Sequence, residues 1–202
     1  DIKLPERNGR SITLIDLATH TSGLPFMPAD APPLSEPTAA EYSADDLKHY
    51  LAGYQLTRDT GSEWDYSNIG YWVLGEALVA RAGKVDASLS RTASPARTLI
   101  RQRIIIPLKM TDTDFELSEK LKSNLAPGHD NALQPAPAVS AMPIYSIMPA
   151  GGGLYSTAND LLTFLSQCMG YQSSPLASAM KIALGVHRPV KPGNEQALGW
   201  NI

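Results

Sequence analysis

A tyrosine and an asparagine two residues apart, Tyr66 and Asn68, stand at the mouth of a helical run, Ile69-Gly70-Tyr71-Trp72-Val73-Leu74-Gly75-Glu76. At that spacing both side chains can face one cleft while Ser67 faces away. The phenol can move protons, and the amide can grip a substrate carbonyl. A phenol with the ordinary pKa of about 10 is a poor base at neutral pH unless a cation lowers it. No evident nucleophile or cationic partner precedes Tyr66 in the 202 residues. The expectation is therefore one part of a catalytic machine.

The elements that must hold this pair are mostly helical. Thr13 with Asp16 reads as a capping box opening a helix over Leu14–His20, stopped by Gly23. Ser43 with Asp46 opens a second, running to about Leu51. Residues 69–82 give the strongest pattern, with Ile69, Val73 and Ala77 on one stripe beside Leu74 and Leu78, and Gly83 as terminator. Ser94-Pro95 predicts a helix to Ile105, ended by Pro107. Thr157 with Asp160 caps Leu161–Met169, and Ser174-Pro175 opens a last helix near 175–184. Strand signals are few: the alternation near 110–116, Gly153–Tyr155, and a terminal Leu198-Gly199-Trp200-Asn201-Ile202 that lacks neighbours to pair with. The Pro- and Ala-rich stretches 25–39 and 126–149 are long for a compact domain, which points to functional or surface-wrapping segments.

Bulk properties remove several function classes. A net charge of −3 with dispersed Lys and Arg gives no electrostatic reason to bind nucleic acid. No apolar run approaches the roughly 20 residues that span a bilayer. The single cysteine, Cys168, excludes an internal disulfide and a cysteine-based zinc site, and reads as a small core hydrophobe. His20, His49, His129 and His187 lack metal-ligand spacing, so no metal or cofactor is expected. His20 is read as a helix-end residue explained by the helix dipole and the following turn.

Four segments in order resemble the penicillin-recognising serine hydrolases: class C β-lactamases, D-alanyl-D-alanine carboxypeptidases and related esterases. They are Ile12 to Pro25, Gly61 to Gly75, Ile106 to Thr113, and Pro149 to Leu165 followed by Leu198-Gly199-Trp200. The resemblance implies the helical domain of a β-lactamase/transpeptidase-like fold, mainly α, with pieces of the neighbouring α/β domain at the two ends. Residues 1–148 would be the helical domain, and 149–202 a partial return to the α/β domain. It also implies an acyl-serine hydrolase built on three motifs. Only the middle one, Y-x-N, is present, as Tyr66 and Asn68. By resemblance Tyr66 relays protons, and Asn68 holds the substrate carbonyl and steadies a catalytic lysine. Gly151 and Gly152, in Pro149-Ala150-Gly151-Gly152-Gly153, would line the substrate site. The S-x-x-K serine and the third, K-[ST]-G or H-x-G, motif are expected in N- and C-terminal segments outside this sequence, leaving the chain itself inactive. The implied substrate is a β-lactam, a D-Ala peptide or an ester, in a periplasmic or secreted setting.

Some features depart from the family. Thr60 and Lys109 stand where many members carry proline and glycine; both read as scaffold positions. The stretch His49 to Leu56 does not align with the glutamine-bearing segment of class C enzymes, which favours carboxypeptidase or esterase activity. Ser178-Ala179-Met180-Lys181 mimics S-x-x-K but follows Y-x-N instead of preceding it, and Lys191-Pro192-Gly193 mimics the third motif only superficially. Two plain alternatives stand beside the catalytic reading. Tyr66 can simply pack at the helix mouth while Asn68 caps it, and the chain can be a non-catalytic helical binding or assembly module.

Overall fold

The computed structural model describes residues 2–32, 42–136 and 149–202. Positions 33–41 and 137–148, which take in parts of both Pro- and Ala-rich stretches, lie outside the described residues. The helices are α1 (Leu14–Ala18), α2 (Ala44–Gly53), α3 (Asn68–Gly83), α4 (Pro95–Ile100), α5 (Glu119–Ser123), α6 (Ala158–Cys168) and α7 (Ala177–Gly185). The described residues also form a 3-10 turn (Leu89–Arg91) and two short antiparallel hairpins: β1 (Gly128–His129) with β2 (Pro135–Ala136), and β3 (Arg188–Lys191) with β4 (Asn194–Gln196).

Side-chain caps start α1, α2 and α6 where the sequence places them, whereas Ser94 precedes α4 without a side-chain cap bond. Thr13 and Asp16 close a reciprocal capping box on α1, and Ser43 and Asp46 do the same on α2. Thr157 accepts from the Asp160 N–H at the start of α6. α3 differs from expectation. Its cap is Ser67, whose hydroxyl accepts the Gly70 N–H at 2.9 Å, and Asn68 is the first helical residue. Ser174-Pro175 does not cap α7, which begins later, after Leu176 without a side-chain cap.

Two helix ends share one device. After α1, the Thr21 N–H bonds the Asp16 carbonyl and the His20 N–H bonds that of Leu17, while His20 takes a left-handed φ of 55°. After α4 the chain passes through a π turn (Arg101–Ile105). There the Met110 N–H bonds the Ile105 carbonyl, the Lys109 N–H bonds that of Ile106, and Lys109 has φ 58°. Both are Schellman motifs with a non-glycine residue at the left-handed position. In the second, Met110 and Ile105 also meet in the core, the apolar contact this motif favours.

The main core gathers Leu17 of α1, Leu47 and Leu51 of α2, and Ile69, Trp72 and Val73 of α3, with Leu24 and Leu56 from the connecting segments. Burying each leucine contributes roughly 2 kcal/mol. The stripe expected to continue through Leu78 does not, because Leu78 is exposed. A smaller core joins Ile105, Leu108, Met110 and Met180, and half-buried Cys168 packs against it as a small hydrophobe. Burial pushes the Cys168 thiol pKa up, away from nucleophile behaviour.

Residues 112–114 are tied to the region that follows Gly153. Asp114 and Tyr155 exchange backbone hydrogen bonds at 3.1 and 2.9 Å. The buried carboxylate of Asp160 accepts from the Thr113 hydroxyl at 2.7 Å and the Asp112 N–H at 2.8 Å. The strand expected over 110–116 is therefore this single bridge. The terminal segment meets the β3–β4 hairpin through a single bridge between Asn201 and Gln196. Lys191-Pro192-Gly193 forms that hairpin's turn, with Gly193 at φ 83°.

Candidate active site

The mouth of α3 is built by strapping residues 65–68 to the segment that follows α1. The Asp65 N–H donates to the His20 carbonyl at 2.8 Å, and the Ser67 N–H donates to His20 Nδ1 at 3.1 Å. The Ser67 hydroxyl donates to the Pro25 carbonyl at 2.7 Å, and the Asn68 N–H to the Phe26 carbonyl at 3.1 Å. Ser67 thus points inward, as its place between Tyr66 and Asn68 predicts, and it is buried.

Tyr66 faces the other way. The residue is 45% exposed, and its ring lies 4.4 Å from the His20 ring and 5.9 Å from that of Phe26. His20 is stacked in turn on Tyr71, with ring centroids 4.7 Å apart, and Trp64 meets its edge at 6.1 Å. The Tyr71 hydroxyl anchors the stack by donating to the Ala18 carbonyl at 2.9 Å.

Burial sets the charge state of this group of rings. It lowers the His20 pKa to about 4, with Asp65 pulling weakly the other way, so the imidazole is neutral near pH 7. That removes the helix-dipole explanation for His20, which needs a cation. Burial also pushes the Tyr71 phenol up to about 12, with Tyr66 adding to the rise, leaving Tyr71 a permanent donor.

Asn68 does not share Tyr66's surroundings. It is 4% exposed, and its side-chain amide donates to Met27 Sδ at 3.5 Å. The expectation that the two side chains open together into one cleft is not met: the phenol reaches solvent and the amide sits behind Met27. The plain alternative for Asn68 also needs correcting, since Ser67 does the capping. Gly151 and Gly152 lie half-buried in the turn after Pro149. That turn meets α3 at Gly75, where an added Cβ would lie 2.5 Å from the Cβ of Ala150. Gly75 is two helical turns, about 10 Å along the axis, from Asn68.

A cleft of about 780 Å³ opens beside Trp64 and the β3–β4 turn, and its lining includes neither Tyr66 nor Asn68. Ser178 and Lys181 are both exposed on α7. Among the described residues no group of three or more His, Cys, Asp or Glu is placed to hold a metal, and no helix is long and apolar enough to cross a membrane. Sequence reasoning missed His20 as part of this site. The available signal was a histidine inside Thr19-His20-Thr21-Ser22-Gly23, a segment already matched to the family.

The chain is 31% identical over 183 residues to the D-alanyl-D-alanine-carboxypeptidase/endopeptidase AmpH of Escherichia coli (strain K12), covering 89% of this chain and 43% of that protein. A solved class C β-lactamase superposes with a TM-score of 0.74 at 21% identity, over 94% of this chain and 47% of that one. A β-lactamase/D-alanine carboxypeptidase from Pseudomonas syringae gives 0.73 at 21% identity, over 96% and 49%. These likenesses show the β-lactamase/transpeptidase-like fold, and the chain spans less than half the length of each relative. Residues 3–201 match the family described as Beta-lactamase. The chain belongs to that family, among the penicillin-recognising serine hydrolases.

Proposed function

We propose that this chain carries the proton-relay portion of a hydrolase that cleaves an amide or ester through an acyl-serine intermediate. One observation carries the reading: the Y-x-N tyrosine is presented to solvent at the mouth of α3 while the peptide on either side of it is bonded to the scaffold. Tyr66 would take the proton from the attacking serine hydroxyl and deliver it to the leaving group, with a nearby lysine cation favouring the phenolate. Asn68 would hold the substrate carbonyl after Met27 yields its amide, and Gly151 and Gly152 would let substrate approach the backbone. We take residues 1–148 as the helical domain and 149–202 as a partial return to the α/β domain. The substrate class is a β-lactam, a D-Ala peptide or a small ester, in a periplasmic or secreted setting. The serine and lysine would come from residues beyond these 202, so the isolated chain is expected to be inactive.

The test has two arms. The isolated chain should not hydrolyse nitrocefin or a p-nitrophenyl ester; turnover that Tyr66→Phe abolishes would redirect attention to Ser178 and Lys181. In the longer parent protein, Tyr66→Phe should lower kcat/KM by about 10²- to 10⁴-fold, the range for a positioned general acid–base group. A second reading, a non-catalytic module, is favoured by the burial of Asn68 behind Met27. It requires Tyr66→Phe to leave the parent without an activity to lose.

A further inference from the structure

We propose that His20 is a positioning residue that registers Tyr66 at three points. Two are hydrogen bonds to the residues flanking Tyr66: Asp65 N–H to the His20 carbonyl, and Ser67 N–H to His20 Nδ1. The third is the stack of the two rings at 4.4 Å with 31° between their planes.

An exposed tyrosine held only by its own backbone samples several rotamers, and each one except the productive one removes the phenol from the reaction. Here the ring has His20 on one side and Phe26 beyond it. His20 is itself immobilised by Tyr71, whose hydroxyl is tied to Ala18. The clamp transmits the position of α1 to the phenol through one side chain.

The backbone strengthens the case. His20 occupies the left-handed position of the Schellman motif after α1, where glycine is the residue of lowest conformational cost. A histidine there costs more than a glycine would, and what its side chain adds to the turn is the acceptor for Ser67 and the ring against Tyr66. Accepting from Ser67 requires an unprotonated Nδ1, so the clamp works with the neutral imidazole bearing its proton on Nε2. Asp65, Tyr66 and Tyr71 are the titratable groups around it. The inference rests on the reading of Tyr66 as the proton relay, but its test reads position and not turnover.

The chain is labelled with ring-13C tyrosine and 15N-histidine, and Tyr66 is assigned by Tyr66→Phe. At pH 7 the unmodified protein should show His20 with a bare Nδ1 and a proton on Nε2. Its Tyr66 ring signals should stand apart from those of the exposed Tyr171. In His20→Asn, which tolerates the left-handed backbone but has no ring, the Tyr66 signals should collapse onto the exposed-tyrosine position. In His20→Phe, which keeps a ring but no acceptor, they should stay shifted while the Ser67 amide exchanges at least about tenfold faster. An Nδ1–H tautomer of His20 overturns the proposal without any variant having to fold, and Tyr66 signals already at the exposed position in the unmodified chain overturn it as well. In the parent, an intact clamp with hydrolysis indifferent to Tyr66→Phe would sink the relay and leave the clamp standing. A collapsed clamp with Tyr66→Phe still damaging would do the reverse.

Discussion

At the scale of single residues, the buried imidazole of His20 makes stability depend on pH in a direction that can be worked out. Its pKa is lowered from 6.5 to about 4 on folding, so between those values the unfolded chain binds more protons than the folded one. Stability therefore rises with pH through this window: nothing is lost above pH 6.5, and the loss is complete below about pH 4. The full span is on the order of 3 kcal/mol. Urea unfolding at pH 7 and pH 5 should show a larger drop for the unmodified chain than for His20→Asn. His187 changes the profile the opposite way, because the Leu184 carbonyl and Glu195 raise its pKa, so only the difference between the two proteins isolates His20. An equal drop in both proteins would mean His20 is not the group that titrates. This residue was hard to read in the sequence because the partners that matter to it, Ser67 and Tyr66, lie more than 40 positions away. The place of Tyr66 and Asn68 at the mouth of α3 was legible because a helix start is a local pattern. The exposure of one and burial of the other were not, since the side chain covering Asn68 is Met27, 41 residues earlier.

Elements show the same division between local and distant causes. The capping boxes of α1 and α2 and the Thr157 cap of α6 were legible because cap and capped groups are three residues apart. α5 gave no apolar period, since it buries no residue, and its only cues were the Ser118 cap and the charges at its two ends. The β3–β4 hairpin was also hidden: Pro189 and Pro192 argue against a strand, and Arg188 and Lys191 supply no apolar alternation. It is a short irregular hairpin, where such residues are tolerated. The two Schellman motifs make a prediction at this scale. Lys109 is exposed with φ 58°, and among the described residues its side chain has no counterpart to the contacts of His20. Lys109→Gly should relieve the left-handed penalty of about 1–2 kcal/mol, partly offset by glycine's greater freedom when unfolded. The expected net gain is about 0.5–1 kcal/mol, seen as a higher urea midpoint with an unchanged slope. A lower midpoint would show that the lysine side chain holds this turn in place.

For the molecule as a whole, the glycine-rich turn and α3 meet at one crowded point. A methyl group on Gly75 would come within 2.5 Å of the Ala150 Cβ, which is too close without movement of one backbone. Gly75→Ala should destabilise by about 1–3 kcal/mol, the usual range for overpacking. Ala150→Gly added to it should restore part of that loss, because the two positions are in contact and their effects are not additive. Simple additivity of the two changes in thermal unfolding would show that the clash is relieved elsewhere. The pair also joins the turn carrying Gly151 and Gly152 to the helix that carries Asn68.

The latch between Ser67 and His20 and the latch between Thr113 and Asp160 each join residues 47 positions apart. Closing a loop of that length costs about 3 kcal/mol of chain entropy beyond the constant term, and the cost is the same for both. Neither can form as a cheap local event, so both should form later than the capped helices. Loosening either one should slow the appearance of the native chain, while the capped helices form as quickly as before.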